Sequence, residues 1–208
     1  MEKGLYNEVL LSGNSTKLKE LIEAALQAGD APQQIIKQAL IPAMEKVGEK
    51  FKANEIFLPE VMLAARVMQS GLAVLKPLLT GEPMDNVGSV VIGTVQGDHH
   101  DIGKNLVAMM LEGAGFKVID LGADVSAERF LQAWRQHQPQ IIGMSSLLTT
   151  TMPKMKEVID RLVDAGVRAQ VKVLIGGAPV TQEYAERIGA DGYAPDAGAA
   201  VEVAKQLL

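Results

Sequence analysis

The sequence has no cysteine among its 208 residues. That excludes disulfides, thiolate metal sites and cysteine nucleophiles. Long apolar runs are also missing. No stretch approaches ~18 uninterrupted apolar residues, so no transmembrane helix is expected. The N-terminal segment MEKGLYNEVLLSGNS carries too short an apolar run for a signal peptide. Basic charge is not in excess: Lys and Arg number 20 against 25 Asp and Glu, for a formal net charge of −5. A general nucleic-acid binder normally shows a basic patch, and this composition argues against one. There is no internal repeat and no low-complexity segment. What remains is a chain that is 48% hydrophobic, long enough for one large domain or two small ones. A soluble cytoplasmic protein is expected, with neither a membrane nor nucleic acid as partner.

The pattern of the chain changes near residue 85. Residues 1 to about 80 read as helices only. Tyr6, Val9 and Leu10 begin an apolar stripe. Asn14 or Ser15 can cap a second helix, Lys17 to Ala28, which Gly29 ends. Asp30 can cap a third, with Pro32 in its first turn and Pro42 inside it as a predicted kink or break. Pro59 opens a fourth helix, Glu60 to Leu79. Four helices with short connections predict a small bundle. Residues 80–89 (TGEPMDNVGS) are turn formers and mark a linker, the natural hinge between two domains.

Residues 86–208 alternate short apolar runs with helical periods. Candidate strands are Ser89–Val95, Lys117–Asp120, Gln140–Met144, Lys172–Ile175 and Gly192–Ala194. Candidate helices are Ile102–Glu112, Ala127–Gln136, Met152–Ala165, Thr181–Ile188 and Ala197–Leu207. Five βα units predict a Rossmann-like, flavodoxin-like α/β domain with a parallel sheet of order 2-1-3-4-5. Ligands bind such sheets at the carboxyl ends of strands 1 and 3, where the winding reverses.

The unusual residues fall at those ends. Strand 1 runs into Gly97-Asp98-His99-His100-Asp101-Ile102-Gly103, strand 3 into Ser145-Ser146-Leu147-Leu148-Thr149-Thr150-Thr151, and strand 4 into Gly176-Gly177-Ala178-Pro179. Glycines admit a ligand against bare backbone, and hydroxyls offer uncharged donors and acceptors. Asp98 is placed to bond Nδ1 of His100 and leave Nε2 free, the arrangement of an oriented metal ligand. A loop histidine beside acids also occurs as a solvated or capping group. Asp101 can simply cap the following helix, and His99 reads as a bystander.

Written as a pattern, the loops are Asp98-x-His100-x-x-Gly103, then Ser145-x-Leu147, then Gly176-Gly177, separated by residues 104–144 and 148–175. This series resembles the cobalamin-binding domain of methionine synthase and of the corrinoid methyl-carrier proteins. The segment EKFKANEIFLPEVMLAARVM resembles the helical cap that precedes that domain in those families. The likeness therefore covers essentially the whole chain, as a helical cap (1–85) followed by a cobalamin-binding α/β domain (86–208). The much longer methionine synthase has further modules that are not here, so the small two-domain corrinoid proteins of substrate-specific methyltransferase systems are the nearer pattern.

The resemblance implies a cofactor, cobalamin, with its cobalt cycling between methylcobalamin and the Co(I) corrinoid. It implies that His100 replaces the cofactor's own benzimidazole as lower axial ligand. Asp98 would hold the imidazole, and Thr151 would support Asp98 where methionine synthase has a serine. His99, Asp101, Ile102, Gly103 and Gly97 would lie against the corrinoid. The detached nucleotide tail would enter the sheet edge at Ser145, Leu147, Thr149, Gly176, Gly177 and Ala178, closed by the segment from Tyr193 and Ala194 to Ala197. Phe51, Leu58, Val61 and Met62 match the positions that shield the methyl group from above. The implied role is that of a methyl carrier between a substrate-specific methyltransferase and a second methyltransferase, with tetrahydrofolate or coenzyme M as acceptor and a reductive activase as a further partner. A cobalamin-dependent regulator and the B12-binding subunit of an adenosylcobalamin mutase share the same domain and stand as alternatives.

Overall fold

The computed structural model describes residues 3–78 and 87–208. Most of the predicted linker, and Leu79 at the expected end of the fourth helix, lie outside these residues. The chain divides into two compact units: Met1–Asn86 with Glu112–Gly115, and Val87–Leu111 with Phe116–Leu208.

The first unit is helical. Helix α1 spans Lys3–Leu11 and α2 spans Ser15–Gln27. Asn14 supplies the α2 cap, its side chain accepting from Lys17 N. The third helix begins as α3 (Pro32–Ile35) without the expected Asp30 cap. Its N-cap is Ala31, with no side-chain bond, and Pro32 already removes one of the unpaired first-turn amides. Pro42 does not break this helix. The turn before it widens into a π-helix (Ile36–Leu40), with Ile41 N reaching back to Ile36 O, and the chain continues as α4 (Ile41–Lys52). The wider turn relieves the clash of a proline ring with the preceding turn. Buried Asn7 donates Nδ2 to Ala43 O over 3.0 Å in the same region.

Helix α5 (Leu58–Leu75), followed by a 3-10 turn at Lys76–Leu78, is long and apolar enough to cross a membrane by length and composition alone, although Glu60 and Arg66 interrupt its apolar run. Its apolar character is that of a bundle helix. Val61, Ala64, Ala65, Val67, Met68, Gly71, Leu72 and Leu75 are buried.

The second unit is a five-stranded parallel sheet in the order β2-β1-β3-β4-β5: β1 Ser89–Thr94, β2 Lys117–Asp120, β3 Ile141–Ser145, β4 Lys172–Gly176 and β5 Gly192–Ala194. The order is the predicted one. Strand β3 starts one residue later than expected, and Gln140 just before it accepts from Ser89 N through its side-chain oxygen over 2.8 Å. The intervening helices are α6 (Ile102–Gly113), α7 (Ala127–His137), α8 (Pro153–Asp164), α9 (Gln182–Ile188) and α10 (Ala197–Gln206). Ser126, Thr181 and Asp196 cap α7, α9 and α10 through their side chains. On one face of the sheet Val91, Ile142, Met144, Val173 and Ile175 pack with Phe130, Leu131, Trp134, Met155 and Ile159. Val90, Ile92, Ile141 and Leu174 are equally buried. A parallel sheet buried on both faces leaves only its edges for chemistry, and the carboxyl edge is where the marked loops lie.

Candidate functional site

Asp98 is the centre of the carboxyl edge. It is fully buried, and every oxygen is paired. Oδ1 accepts from His100 N at 3.0 Å and lies 2.8 Å from His100 Nδ1. Oδ2 accepts from Leu147 N at 2.7 Å, Thr151 Oγ1 at 2.9 Å and Leu148 N at 3.3 Å. Burial raises the Asp98 pKa. The bonds from the His100 and Leu147 amides, the His100 ring and the Thr151 hydroxyl outweigh burial and hold the carboxyl well below the usual carboxylate range.

An ionised carboxylate only accepts hydrogen bonds, so the proton of neutral His100 sits on Nδ1 and the lone pair on Nε2. The His100 side chain is 54% exposed while its partner is 0% exposed. The buried acid thus orients an imidazole that remains open to a ligand. Thr94 Oγ1 fixes the same residue from behind, donating to His100 O at 3.0 Å.

The β3 loop contributes through its backbone as much as its side chains. Leu147 and Leu148 expose their side chains while their amides serve Asp98. Ser145, half-buried, ends β3 between Thr94 and Gly176, and Thr149 is exposed. Ser146 was not singled out from the sequence, yet it is fully buried with Oγ 2.8 Å from Thr151 Oγ1. Two hydroxyls therefore stack behind the carboxylate. The run of hydroxyl residues after strand 3 was the available signal, but which of them turn inward depends on the loop's path.

The glycines divide into two kinds. A Cβ on Gly177 (φ +128°) would stand 1.9 Å from Ser146 O, and one on Gly176 2.8 Å from Ala194 O. These two are needed by the protein's own backbone. Gly103 is different: it is exposed in the first turn of α6, and a Cβ there would meet nothing within 4 Å. Ile102 beside it is 67% exposed. Gly97 (φ +81°) turns the chain into Asp98. His99, Asp101 and Ala178 are exposed; Tyr193 is half-buried, and Ala194 and Ala197 are buried. The structure thus joins Asp98, His100, Leu147 and Thr151 in one network and brings the glycine pair against Ser146.

The remaining predicted residues belong to the helical unit. Phe51 and Leu58 are half-buried where α4 ends and α5 begins, and Met62 is exposed. Val61 has no exposed surface and is a core residue of that unit, so it offers no ligand contact here. Phe57, not marked from the sequence, is 64% exposed in the same connection.

An acid-oriented histidine at the switch point of a doubly wound sheet, preceded by a helical unit, makes a site for an open ligand donor, and the comparisons with known proteins identify the class as cobalamin-binding. Residues 88–202 match the B12 binding domain, and residues 6–76 match a second model of the same description. The trimethylamine corrinoid protein of Methanosarcina barkeri is 45% identical over 91% of this chain and 88% of its own. The dimethylamine corrinoid protein 3 of Methanosarcina acetivorans is 42% identical over 99% and 98%. Among solved structures, a cobalamin-binding protein from Desulfitobacterium hafniense superposes with a TM-score of 0.83 at 31% identity, covering 100% and 99% of the two chains. The methanol:cobalamin methyltransferase complex of M. barkeri superposes with a TM-score of 0.88 at 33% identity, covering 97% and 77%. The chain belongs to the family of B12-binding corrinoid proteins of methyltransferase systems. Its cofactor is cobalamin, and the donor set fits: a neutral imidazole with Nε2 unbonded among the described residues, and open backbone at Gly103 beside it.

Proposed function

We propose that this chain is a methyl carrier that binds cobalamin with the cofactor's base displaced and His100 Nε2 as lower ligand. One observation carries the reading: the buried, ionised Asp98 places the proton of His100 on Nδ1 and leaves Nε2 as a lone-pair donor on an exposed ring. Cobalamin supplies a cobalt centre that accepts and releases a methyl group. The chain's own residues do the rest. Asp98 holds the imidazole through Nδ1, and Thr151 supports Asp98 from its other oxygen. Ser145, Leu147, Thr149, Gly176, Gly177, Ala178, Tyr193, Ala194 and Ala197 bound the sheet edge that receives the nucleotide tail. Phe51 and Leu58, with Met62, present the apolar surface that keeps water from the methyl group.

In this reading the partners are a substrate-specific methyltransferase, a second methyltransferase using tetrahydrofolate or coenzyme M, and a reductive activase, all cytoplasmic. The names of the relatives, trimethylamine, dimethylamine and methanol, support a donor among small methylated compounds, selected by the first partner.

The test is electron paramagnetic resonance of the cobalt(II) form, reconstituted from unlabelled cobalamin and protein carrying ¹⁵N-histidine. Superhyperfine splitting that follows the ¹⁵N label is expected. Splitting by ¹⁴N alone would show benzimidazole still on the metal and end the reading.

A further inference from the structure

The residue least expected in a hydrophobic core is Lys104. Its side chain is 1% exposed, in the first turn of α6, four positions after His100. Its Nζ lies 2.5 Å from Asp120 Oδ2 and 2.5 Å from Asn105 Oδ1. A buried ammonium persists only when paired, so Asp120 determines where this turn can sit. Asp120 ends β2, and its other oxygen accepts from Gly122 N at 2.9 Å.

Two residues beyond Gly122, Asp124 adopts a left-handed backbone (φ 55°) that most side chains avoid. Its carboxylate accepts from Gly97 N at 2.7 Å, and its own amide donates to Asp98 O at 3.0 Å. Glycine would relieve the backbone here but would lose the acceptor. The same loop also brackets Thr94, which donates its amide to Gly122 O and accepts from Val125 N, both at 2.9 Å. Thr94 in turn holds His100 O. The histidine loop is therefore gripped before Asp98, at Asp98, behind His100 and after it. Three of these holds trace to the β2–α7 connection, the third through Thr94, and the fourth to Asp120 at the end of β2 that leads into it.

We propose that the β2–α7 loop is the positioning element of the axial histidine, with Asp124 anchoring the loop ahead of His100 and Asp120, through Lys104, anchoring it behind. Neither acid touches the ligand. They act through Gly97, Asp98 and Lys104 to set the height at which Nε2 is presented. The inference rests on the axial-ligand reading above.

The experiment compares wild type, Asp124→Ala, Asp124→Asn and Lys104→Met, each reconstituted with cobalamin, by absorbance titration of the histidine-on and histidine-off forms. Asp191→Asn is the control. Asp191 also bonds a backbone amide, Val173 N at 2.7 Å, but at the amino end of the sheet. Asp124→Ala is expected to raise the off-to-on ratio roughly tenfold, the loss of one charge-assisted hydrogen bond. Asp124→Asn, which keeps an acceptor oxygen, should recover most of the difference. Asp191→Asn should lower stability without moving the ratio. If Asp124→Ala and Lys104→Met lose stability like the control but keep the wild-type ratio, the proposal is overturned.

A cofactor-free arm separates this from failure of the axial reading. In the apoprotein the His100 Nδ1–H resonance, held by Asp98, should broaden and exchange faster in Asp124→Ala. If His100→Ala leaves the cobalamin spectrum unchanged, the axial reading falls. The positioning claim is then decided by this resonance, and an unaltered signal overturns it.

Discussion

Thr151 Oγ1 donates to Asp98 Oδ2 over 2.9 Å, on the carboxylate oxygen opposite the one facing the His100 ring. The hydroxyl and the imidazole therefore address one buried charge from two sides. The charge is further held by the Leu147 and Leu148 amides of the same loop as Thr151. Because Thr151 is itself 2.8 Å from the buried Ser146 hydroxyl, the support is two groups deep.

Removing the Thr151 hydroxyl leaves Asp98 Oδ2 with its backbone donors and with Ser146 at 3.5 Å. Thr151→Val is expected to cost about 1–2 kcal/mol of apoprotein stability by chemical denaturation, and Thr151→Ser less than about 0.5 kcal/mol. Ser146→Ala combined with Thr151→Val should depart from additivity by at least about 0.5 kcal/mol, since the two hydroxyls share a hydrogen bond. Additive losses would show that Ser146 does not support the carboxylate.

The depressed Asp98 pKa fixes the sign of an acid-range effect. Its folded value lies below the model-peptide value of 3.8, so the stability it contributes is fully present above pH ~4 and is lost as pH falls towards the folded value. Asp98→Asn should therefore flatten the acid limb of a stability–pH profile while lowering stability at neutral pH, because an amide cannot accept from all these donors. Urea midpoints at several pH values between about 3 and 7 measure both effects. Equal pH slopes for variant and wild type would mean that Asp98 is not ionised by its partners.

Much of this was legible in the sequence. The five βα units, their order and the meeting of the three loops follow from periodicity and winding, Asp98 and His100 from their loop motif, and Thr151 from the family resemblance. What stayed hidden has a common cause. Leu147 reaches Asp98 through its amide, which carries no sequence label. Lys104 reads as one more polar position on a helix, and only its pairing with Asp120 at the end of β2 lets it be buried. Asp124 acts through a left-handed backbone that the sequence does not announce. The family resemblance implies a ligand contact at Val61, but the phase of α5 turns it into the core and leaves its neighbour Met62 outside.

The Lys104–Asp120 pair is asymmetric. The lysine side chain is 1% exposed and the aspartate side chain 39%. Asp120→Asn leaves a buried ammonium without its counter-charge and is expected to cost about 3 kcal/mol. Lys104→Met leaves only a partly solvated carboxylate and should cost less than half of that. Thermal or urea unfolding of the two apoproteins reads the order directly. Equal losses would mean that Asp120 acts by its hydrogen bond to Gly122 rather than by charge.

Gly103 and Gly177 make opposite predictions for the same substitution. At Gly177 a methyl group collides with Ser146 O in a left-handed backbone, so Gly177→Ala must move the β3 or β4 loop and should destabilise the apoprotein by several kcal/mol. At Gly103 the added methyl meets open space on an α-helix, where alanine is favoured over glycine by about 1 kcal/mol. Gly103→Ala should therefore raise the melting temperature of the apoprotein. If cobalamin lies against this bare backbone, as the proposed binding mode requires, the same methyl group should lower cobalamin affinity at least about tenfold, a steric cost near 1.4 kcal/mol. Melting curves with and without cofactor separate the two effects within one variant. A Gly103→Ala protein that is more stable and binds cobalamin as tightly as wild type would remove that glycine from the binding surface.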